Sequence, residues 1–89
     1  YMIKEKIKII NSAGLHARPA AQLVKVASKF EADFHIHMYG YKINGKSILG
    51  VMTLAAEQGA EMELEFNGPD ENKAYKTVKE LIQNGFGEE

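Results

Sequence analysis

One short stretch of the sequence brings together residue types that bind phosphate and react with it. The stretch is Asn11-Ser12-Ala13-Gly14-Leu15-His16-Ala17-Arg18-Pro19-Ala20. His16 supplies an imidazole, which in its neutral form is a nucleophile near pH 7. Arg18 is the only arginine in the chain, whereas lysine occurs ten times. Because a planar guanidinium holds phosphate oxygens in a bidentate way, these residue types indicate phosphate bound beside a histidine.

The same stretch is expected to begin a helix. Pro19 fits a first helical turn, where its missing N–H would lack a partner in any case. A helix that begins at about His16 leaves the backbone amides of Ala17 and Arg18 facing outward, and with the helix dipole these amides form an anion site. The residues alone leave a second interpretation open, in which His16 only caps the helix and Arg18 is a solvated surface charge.

The strands that must position this stretch are predicted from two-residue alternation of apolar and polar side chains. One strand covers residues 3–9 and has lysines on its polar face, and another covers 61–66 and has glutamates there. Facing pairs of opposite charge contribute roughly 0.2–1 kcal/mol each, so we expect these two strands to be neighbours. Two more strands are predicted at 33–39 and 41–43, on either side of Gly40.

Helices are predicted between the strands. Apolar residues recur every three or four positions in 17–28 and again after Asp70, which is expected to cap that helix, with Gly85 ending it. A short helix is expected at 47–52, with Ser47 as its cap. The order is βαββαβα. Since each strand has one apolar and one polar face, the sequence predicts an α+β fold with a largely antiparallel sheet and its helices on one side.

Composition and charge exclude several classes of protein. The 89 residues are 45% hydrophobic and 26% charged, which is typical of one globular domain with a modest core. The absence of cysteine fits a cytoplasmic location, and no stretch is apolar enough to span a membrane. The net charge of −1 disfavours direct binding to nucleic acid. Residues 1–56 carry eight Lys and Arg against three acids, and residues 57–89 carry three lysines against nine acids.

Two separated motifs resemble the signatures of the HPr family, the histidine-containing phosphocarriers of the bacterial sugar phosphotransferase system. The first is Gly14-Leu15-His16-Ala17-Arg18-Pro19-Ala20, and the second is Lys46-Ser47-Ile48-Leu49-Gly50-Val51-Met52. The resemblance extends over essentially the whole chain after Tyr1, and residues 1–89 are expected to form a single HPr-like domain. It implies an open-faced β-sandwich, in which four antiparallel strands in the order 1-4-2-3 carry three helices on one face.

The resemblance also implies a phosphoryl carrier without independent turnover. His16 would accept a phosphoryl group on Nδ1 from phospho-enzyme I, which phosphoenolpyruvate charges, and would pass it to the A domain of a sugar-specific enzyme II (enzyme IIA). Arg18 and the backbone amide of Ala17 would hold the phosphoryl oxygens, and Asn11 would shape the loop. The family precedent is a monomer that uses neither a cofactor nor a metal.

Ser47 resembles the serine that an ATP-dependent HPr kinase/phosphorylase phosphorylates in Gram-positive-type members of the family. The phosphorylated form would then act as corepressor for the catabolite-control transcription factor. A serine before an apolar helical run is also an ordinary N-cap, and both roles are compatible because phosphate is tolerated at a helix N-terminus.

The short helix at 47–52 is too apolar on all sides to bury every side chain. Val51 and Leu54 are expected to complete the core. The side chains that remain exposed are expected to form a partner-docking surface. Its predicted members are Ala17, Ala20, Ile48, Leu49 and Met52.

Other features and functions are disfavoured. His35 and His37 share one strand face, but no third ligand follows at a fixed spacing, so no metal site is expected. Gly45 stands where the family often has a larger residue, which predicts a looser loop before Ser47. A purely regulatory protein, like the family's paralogue without the histidine, is disfavoured by the presence of His16. A small ligand- or RNA-binding module is disfavoured by the net charge.

Overall fold

Residues 2–87, the part of the chain that the computed structural model describes, form four strands, three α-helices and a final 3₁₀ turn. The predicted order βαββαβα is confirmed, with Gly85 at φ +61° just beyond the last α-helix. No helix in this part of the chain has the length and apolar character needed to cross a bilayer. The elements are β1 (Met2–Lys8), α1 (Ala17–Ala27), β2 (Asp33–Met38), β3 (Tyr41–Asn44), α2 (Ile48–Thr53), β4 (Glu61–Asn67) and α3 (Glu71–Gln83).

The strands form one antiparallel sheet in the order β1-β4-β2-β3. The prediction that the lysine-bearing and glutamate-bearing strands are neighbours is therefore confirmed. Each lysine of β1 stands directly opposite a glutamate of β4, and the pairs are Lys4 with Glu65, Lys6 with Glu63 and Lys8 with Glu61. The charge pattern thus agrees with the register that the apolar face requires.

The helices cover the apolar face of the sheet and leave the charged face open. The centre of the core is a pair of rings on adjacent strands, since Phe34 and Phe66 stack with their centroids 4.5 Å apart. Tyr75 of α3 meets Phe66 edge-on at 5.9 Å. The fully buried side chains around these rings come from the sheet and from all three helices, and include Leu23, Ile36, Val51, Met62, Leu64, Val78 and Ile82.

Among the described residues, the open face contains one buried carboxylate, Glu65, which is only 7% exposed. His37 Nε2 lies 2.7 Å from Glu65 Oε1, and Lys42 and Lys4 approach the carboxylate at 3.6 and 4.0 Å. The hydrogen bond from His37, aided by the nearby positive charges, lowers the pKa of Glu65 despite its burial. Two lysines at this carboxylate disfavour a cation, and residues 2–87 contain no cluster of three His, Cys, Asp or Glu that could hold a metal.

The expectation of a loose loop at Gly45 is wrong. Gly45 is buried, and its N–H donates to the carbonyl of Phe34 at 2.8 Å. A Cβ atom at this position would lie 2.2 Å from Cδ2 of the Phe34 ring. The small residue therefore makes the loop tighter, because it lets the backbone lie directly against the central aromatic pair.

Asp70 occupies the N-cap position of α3, but its side chain makes no capping hydrogen bond. Its carboxylate instead accepts the backbone N–H groups of Glu31 and Ala32 at 2.9 and 2.8 Å. The predicted N-cap position is therefore confirmed, but the capping bond is absent because the carboxylate of Asp70 joins two loops that are distant in sequence. The backbone N–H of Gly68 donates to the carboxylate of Glu71 at 3.0 Å.

Candidate functional site

The loop from β1 to α1 is shaped by Asn11, which is 2% exposed. Its Nδ2 donates to the carbonyl of Gly14 at 2.9 Å, and the N–H of Gly14 donates back to the carbonyl of Asn11 at 3.2 Å. These two bonds close a tight turn directly before His16. The geometry thus agrees with the expectation that Asn11 has a structural part in this loop.

Gly14 presses the loop against the segment that follows α2. Gly14 has φ +68°, and a Cβ atom there would lie 2.3 Å from the carbonyl oxygen of Ala56 and 2.9 Å from Cα of Glu57. The next residue, Leu15, is buried and donates its N–H to the same carbonyl of Ala56 at 2.8 Å. Residues 14–15 are therefore packed against and hydrogen-bonded to residues 56–57, and this contact fixes the position of His16.

His16 occupies the N-cap position of α1, but its imidazole does not cap the helix. Its backbone is extended at φ −77° and ψ −175°, and no side-chain capping bond is formed. The carbonyl of His16 accepts the N–H of Ala20 at 3.0 Å, which begins the helical ladder. His16 is exposed, so a partner protein can reach its imidazole. The interpretation of His16 as a mere side-chain cap is therefore wrong.

The N-terminus of α1 is electrostatically suited to an anion. Ala17 and Arg18 are the first two residues of the helix and both are exposed, whereas Pro19 is buried. The first turn contains no acidic residue that would offset the positive end of the helix dipole. Arg18 and the first backbone amides of α1 therefore lie within one turn of His16.

His16 opens onto a shallow depression of about 350 Å³ between the loop and α2. The loop and the start of α1 form one wall, and the end of α2 with the segment after it forms the other. The depression is lined by Ala13, Leu15, His16, Ala17, Met52, Ala55, Ala56 and Glu57. It is wide and open, which suits a group that is exchanged between proteins better than a small molecule held in a closed pocket.

The sequence pattern pointed to Met52 in the second wall of this depression but not to the segment that follows α2. Ala55, Ala56 and Glu57 lie about forty positions after His16, and no local spacing connects them with it. Gly14 indicates that another segment of backbone lies close to this loop, but the sequence does not identify that segment.

Ser47 is the N-cap of α2, as predicted. Its Oγ accepts the N–H of Gly50 at 3.2 Å, and its carbonyl accepts the N–H of Val51 at 2.9 Å. The residue is half-buried, and the two residues that follow it, Ile48 and Leu49, are exposed. An added phosphate would therefore stand beside apolar surface.

The predicted exposure of α2 is confirmed, because Ile48, Leu49 and Met52 are 42%, 74% and 41% exposed. Val51 and Leu54 are buried in the core, also as predicted. Ala20 is the exception, since it lies on the buried face of α1 and its side chain cannot contribute to an exposed surface. We define the α2 surface as Ala17, Ile48, Leu49 and Met52.

Comparison with known proteins agrees with this geometry. The family model described as the HPr component phosphorylation site of the PTS matches residues 3–84. The chain belongs to the HPr family. It is 43% identical over 88 residues to the phosphocarrier protein HPr of Treponema pallidum, covering 99% of this chain and 100% of that one. It is 42% identical over 87 residues to HPr of Neisseria meningitidis serogroup A, with 98% of both chains covered.

Solved structures in the HPr family share the fold. HPr-C-His from Thermoanaerobacter tengcongensis superposes with a TM-score of 0.94 at 44% identity and covers 98% of both chains. HPr from Bacillus anthracis gives a TM-score of 0.88 at 34% identity, covering 92% of this chain and 98% of that chain. The open-faced α+β architecture expected from the resemblance is confirmed, and so is membership of a family of phosphocarrier proteins.

Proposed function

We propose that this chain carries a phosphoryl group on Nδ1 of His16, accepts it from phospho-enzyme I and donates it to the enzyme IIA domain of a sugar transporter. The observation that carries the proposal is the exposed imidazole directly before a helix whose first turn holds Arg18 and no acid. In this role the protein is a carrier that turns over only with its partners. It needs no cofactor, and we propose that it acts as a cytoplasmic monomer.

The transfer step follows from this arrangement. In the neutral ring the proton is on Nε2, and the lone pair of Nδ1 attacks the phosphorus. A P–N bond forms at His16, the bond to the donor breaks, and the donor atom keeps the electron pair. Arg18 and the amides of Ala17 and Arg18 hold the phosphoryl oxygens throughout, which is the positioning and electrostatic help that phosphoryl transfer requires. Onward transfer to enzyme IIA reverses the step.

The test is incubation with phosphoenolpyruvate and enzyme I. We expect one phosphate per chain that is labile in acid and stable in base, and we expect His16→Ala to abolish it. His35→Ala is the matched control, since it removes an imidazole from the open face of the sheet and should leave the labelling unchanged. Phosphate that persists in His16→Ala would overturn the proposal.

Arg18 is tested by its replacement with lysine. Arg18→Lys keeps the charge but loses the bidentate fork, so the rate of phosphorylation should fall by about tenfold or more. The thermal midpoint should stay the same because Arg18 is exposed. A rate equal to that of the wild type would exclude Arg18 from the site.

We further propose that Ser47 is a regulatory site for an HPr kinase/phosphorylase. A phosphate on Oγ would lie at the N-terminus of α2, where the helix dipole tolerates it, and would add about two negative charges beside Ile48 and Leu49. The added charge would slow docking by enzyme I and would create the form that serves as corepressor for a catabolite-control transcription factor.

The regulatory site is tested with ATP and the kinase. We expect acid-stable phosphate that is lost in Ser47→Ala and retained in Ser12→Ala. Loss of the N-cap bond in Ser47→Ala should cost about 1 kcal/mol of stability. The phosphorylated protein should accept phosphate from enzyme I more slowly than the unphosphorylated protein. Equal rates would contradict the regulatory role while leaving the role of His16 intact.

The α2 surface is the proposed docking site for enzyme I, enzyme IIA and the kinase. Its exposed apolar side chains lie next to the depression at His16, and Ala17 and Met52 belong to both. Leu49→Asp should slow phosphorylation of His16 without changing the thermal midpoint, because Leu49 is 74% exposed. Unchanged kinetics in this variant would show that partners dock elsewhere.

A further inference from the structure

Glu57 is an acidic residue in the wall of the depression that receives His16. It lines this depression together with His16, Ala17 and Met52, and it is exposed. Its backbone position is fixed by two contacts. The carbonyl of Glu57 accepts the N–H of Ala60 at 2.9 Å, and its Cα lies against Gly14 in the loop that carries the histidine.

The charge of Glu57 is not offset locally. Within residues 2–87 it is the one acidic residue that lines the depression, and its carboxylate forms no ion pair with a lysine or arginine of this part of the chain. The first turn of α1, which follows His16 directly and contains Arg18 and no acidic residue, attracts an anion. A phosphoryl group on His16 would therefore be attracted by the start of α1 and repelled by Glu57.

We propose that Glu57 sets the phosphoryl-transfer potential of His16 by repelling the bound phosphoryl group. This inference rests on the function proposed above. A carrier must release the group as well as accept it, and a site made only of donors and cations would hold it too strongly. Glu57 raises the free energy of the phosphorylated form and leaves that of the free form nearly unchanged. Onward transfer is favoured as a result.

The expected size of the effect follows from Coulomb's law. A carboxylate and a phosphoryl dianion that face the same open depression are partly screened by water, so removal of the carboxylate should change an equilibrium constant by about three- to tenfold. The effect should decrease as salt concentration rises, because the Debye length falls from about 10 Å at 0.1 M to about 3 Å at 1 M.

The decisive measurement is the equilibrium constant for transfer between phospho-enzyme I and this protein. In this reaction the P–N bond at His16 forms as the bond to the donor breaks, and no other reactant enters. A residue that only contacts enzyme I changes the forward and reverse rates equally and leaves the constant unaltered. A residue that destabilises the phosphorylated product changes the constant itself.

The experiment compares Glu57→Gln, Glu57→Asp and Glu80→Gln with the wild type at pH 8, in 50 mM and 1 M NaCl. Glu57→Gln should shift the equilibrium toward the phosphorylated carrier by about three- to tenfold at low salt and by less at high salt. Glu57→Asp should retain most of the wild-type value. Glu80→Gln makes the same change of charge on the exposed face of α3 and should have no effect.

The possible results separate this inference from the proposed function. If the wild type is phosphorylated on His16 but Glu57→Gln leaves the equilibrium constant unchanged, the inference is wrong and the carrier function stands. If only the rates change, Glu57 is a docking contact and the inference is again wrong. If the wild type takes no phosphate from enzyme I, the carrier function fails and the inference fails with it.

Discussion

Two glycines occupy positions at which a side chain would collide with a neighbouring element. Gly14 lies against the backbone of Ala56, and Gly45 lies against the ring of Phe34. The first contact fixes the loop that carries His16, and the second fixes the loop that leads to Ser47. Both candidate phosphorylation sites are therefore positioned by backbone that lies unusually close to another part of the molecule.

The role of Gly45 predicts that Gly45→Ala is destabilising. The added methyl group would overlap the Phe34 ring, which cannot move away because it stacks on Phe66, so the free energy of unfolding should fall by about 1–3 kcal/mol. Urea denaturation measures the change. Gly50→Ala is the matched control in α2, where a Cβ would be 3.4 Å from the nearest atom, so stability should stay equal or rise. A Gly45→Ala protein as stable as the wild type would show that this loop can shift.

At the scale of elements, loops are joined by contacts between residues far apart in the chain. The Asp70 carboxylate connects the start of α3 to the backbone between α1 and β2. The residue before a predicted helix could be recognised from the sequence, but its partners could not, because they lie 38 and 39 positions away. Local pattern therefore identified Asp70 as important and gave it the wrong hydrogen bonds.

The amide contacts of Asp70 predict a pH-dependent contribution to stability. The hydrogen bond from the Glu31 backbone, with that from Ala32, lowers the pKa of Asp70 from 3.8. A lowered pKa in the folded state gives stability that is present above the unfolded pKa and is lost as pH falls through the folded value. Asp70→Asn should therefore have a lower free energy of unfolding than the wild type at pH 6. The difference in free energy between the two proteins should be smaller at pH 3.

Thermal or urea unfolding at the two pH values tests this expectation. Glu80→Gln is the control, because it also removes one negative charge from α3 but at an exposed position. Its free energy of unfolding should remain within about 0.5 kcal/mol of the wild-type value at pH 6. A difference between Asp70→Asn and the wild type that stays constant with pH would mean that the carboxylate charge does not matter to the contact.

At the scale of the whole molecule, the basic first part and the acidic second part of the chain interleave in one sheet. The alternating lysines and glutamates predicted that β1 lies next to β4, because this pairing places opposite charges together on one face of the sheet. The burial of Glu65 could not be predicted in this way, because the alternation places it on the open face and its partners Lys4, His37 and Lys42 come from the other three strands. The burial of Ala20 agrees instead with the apolar stripe of α1, which the helical spacing indicates.

The interleaving predicts a measurable coupling between Lys6 of β1 and Glu63 of β4, which face each other. Lys6→Glu and Glu63→Lys should each destabilise the protein by placing like charges opposite one another. The double variant should recover part of the loss, with a coupling of about 0.2–1 kcal/mol. Urea denaturation of all four proteins gives the coupling, which should shrink in 0.5 M NaCl. Strictly additive effects would mean that these side chains do not interact.

The strand order also determines which backbone groups remain unpaired at the two borders of the sheet. One border is β1, whose lysines project at every second position, and the other is β3, which has only four residues. Charged side chains and a short strand both discourage a second molecule from adding its own strand there. We therefore expect concentrated solutions of this protein to resist fibril formation, even though its central strands are rich in apolar residues.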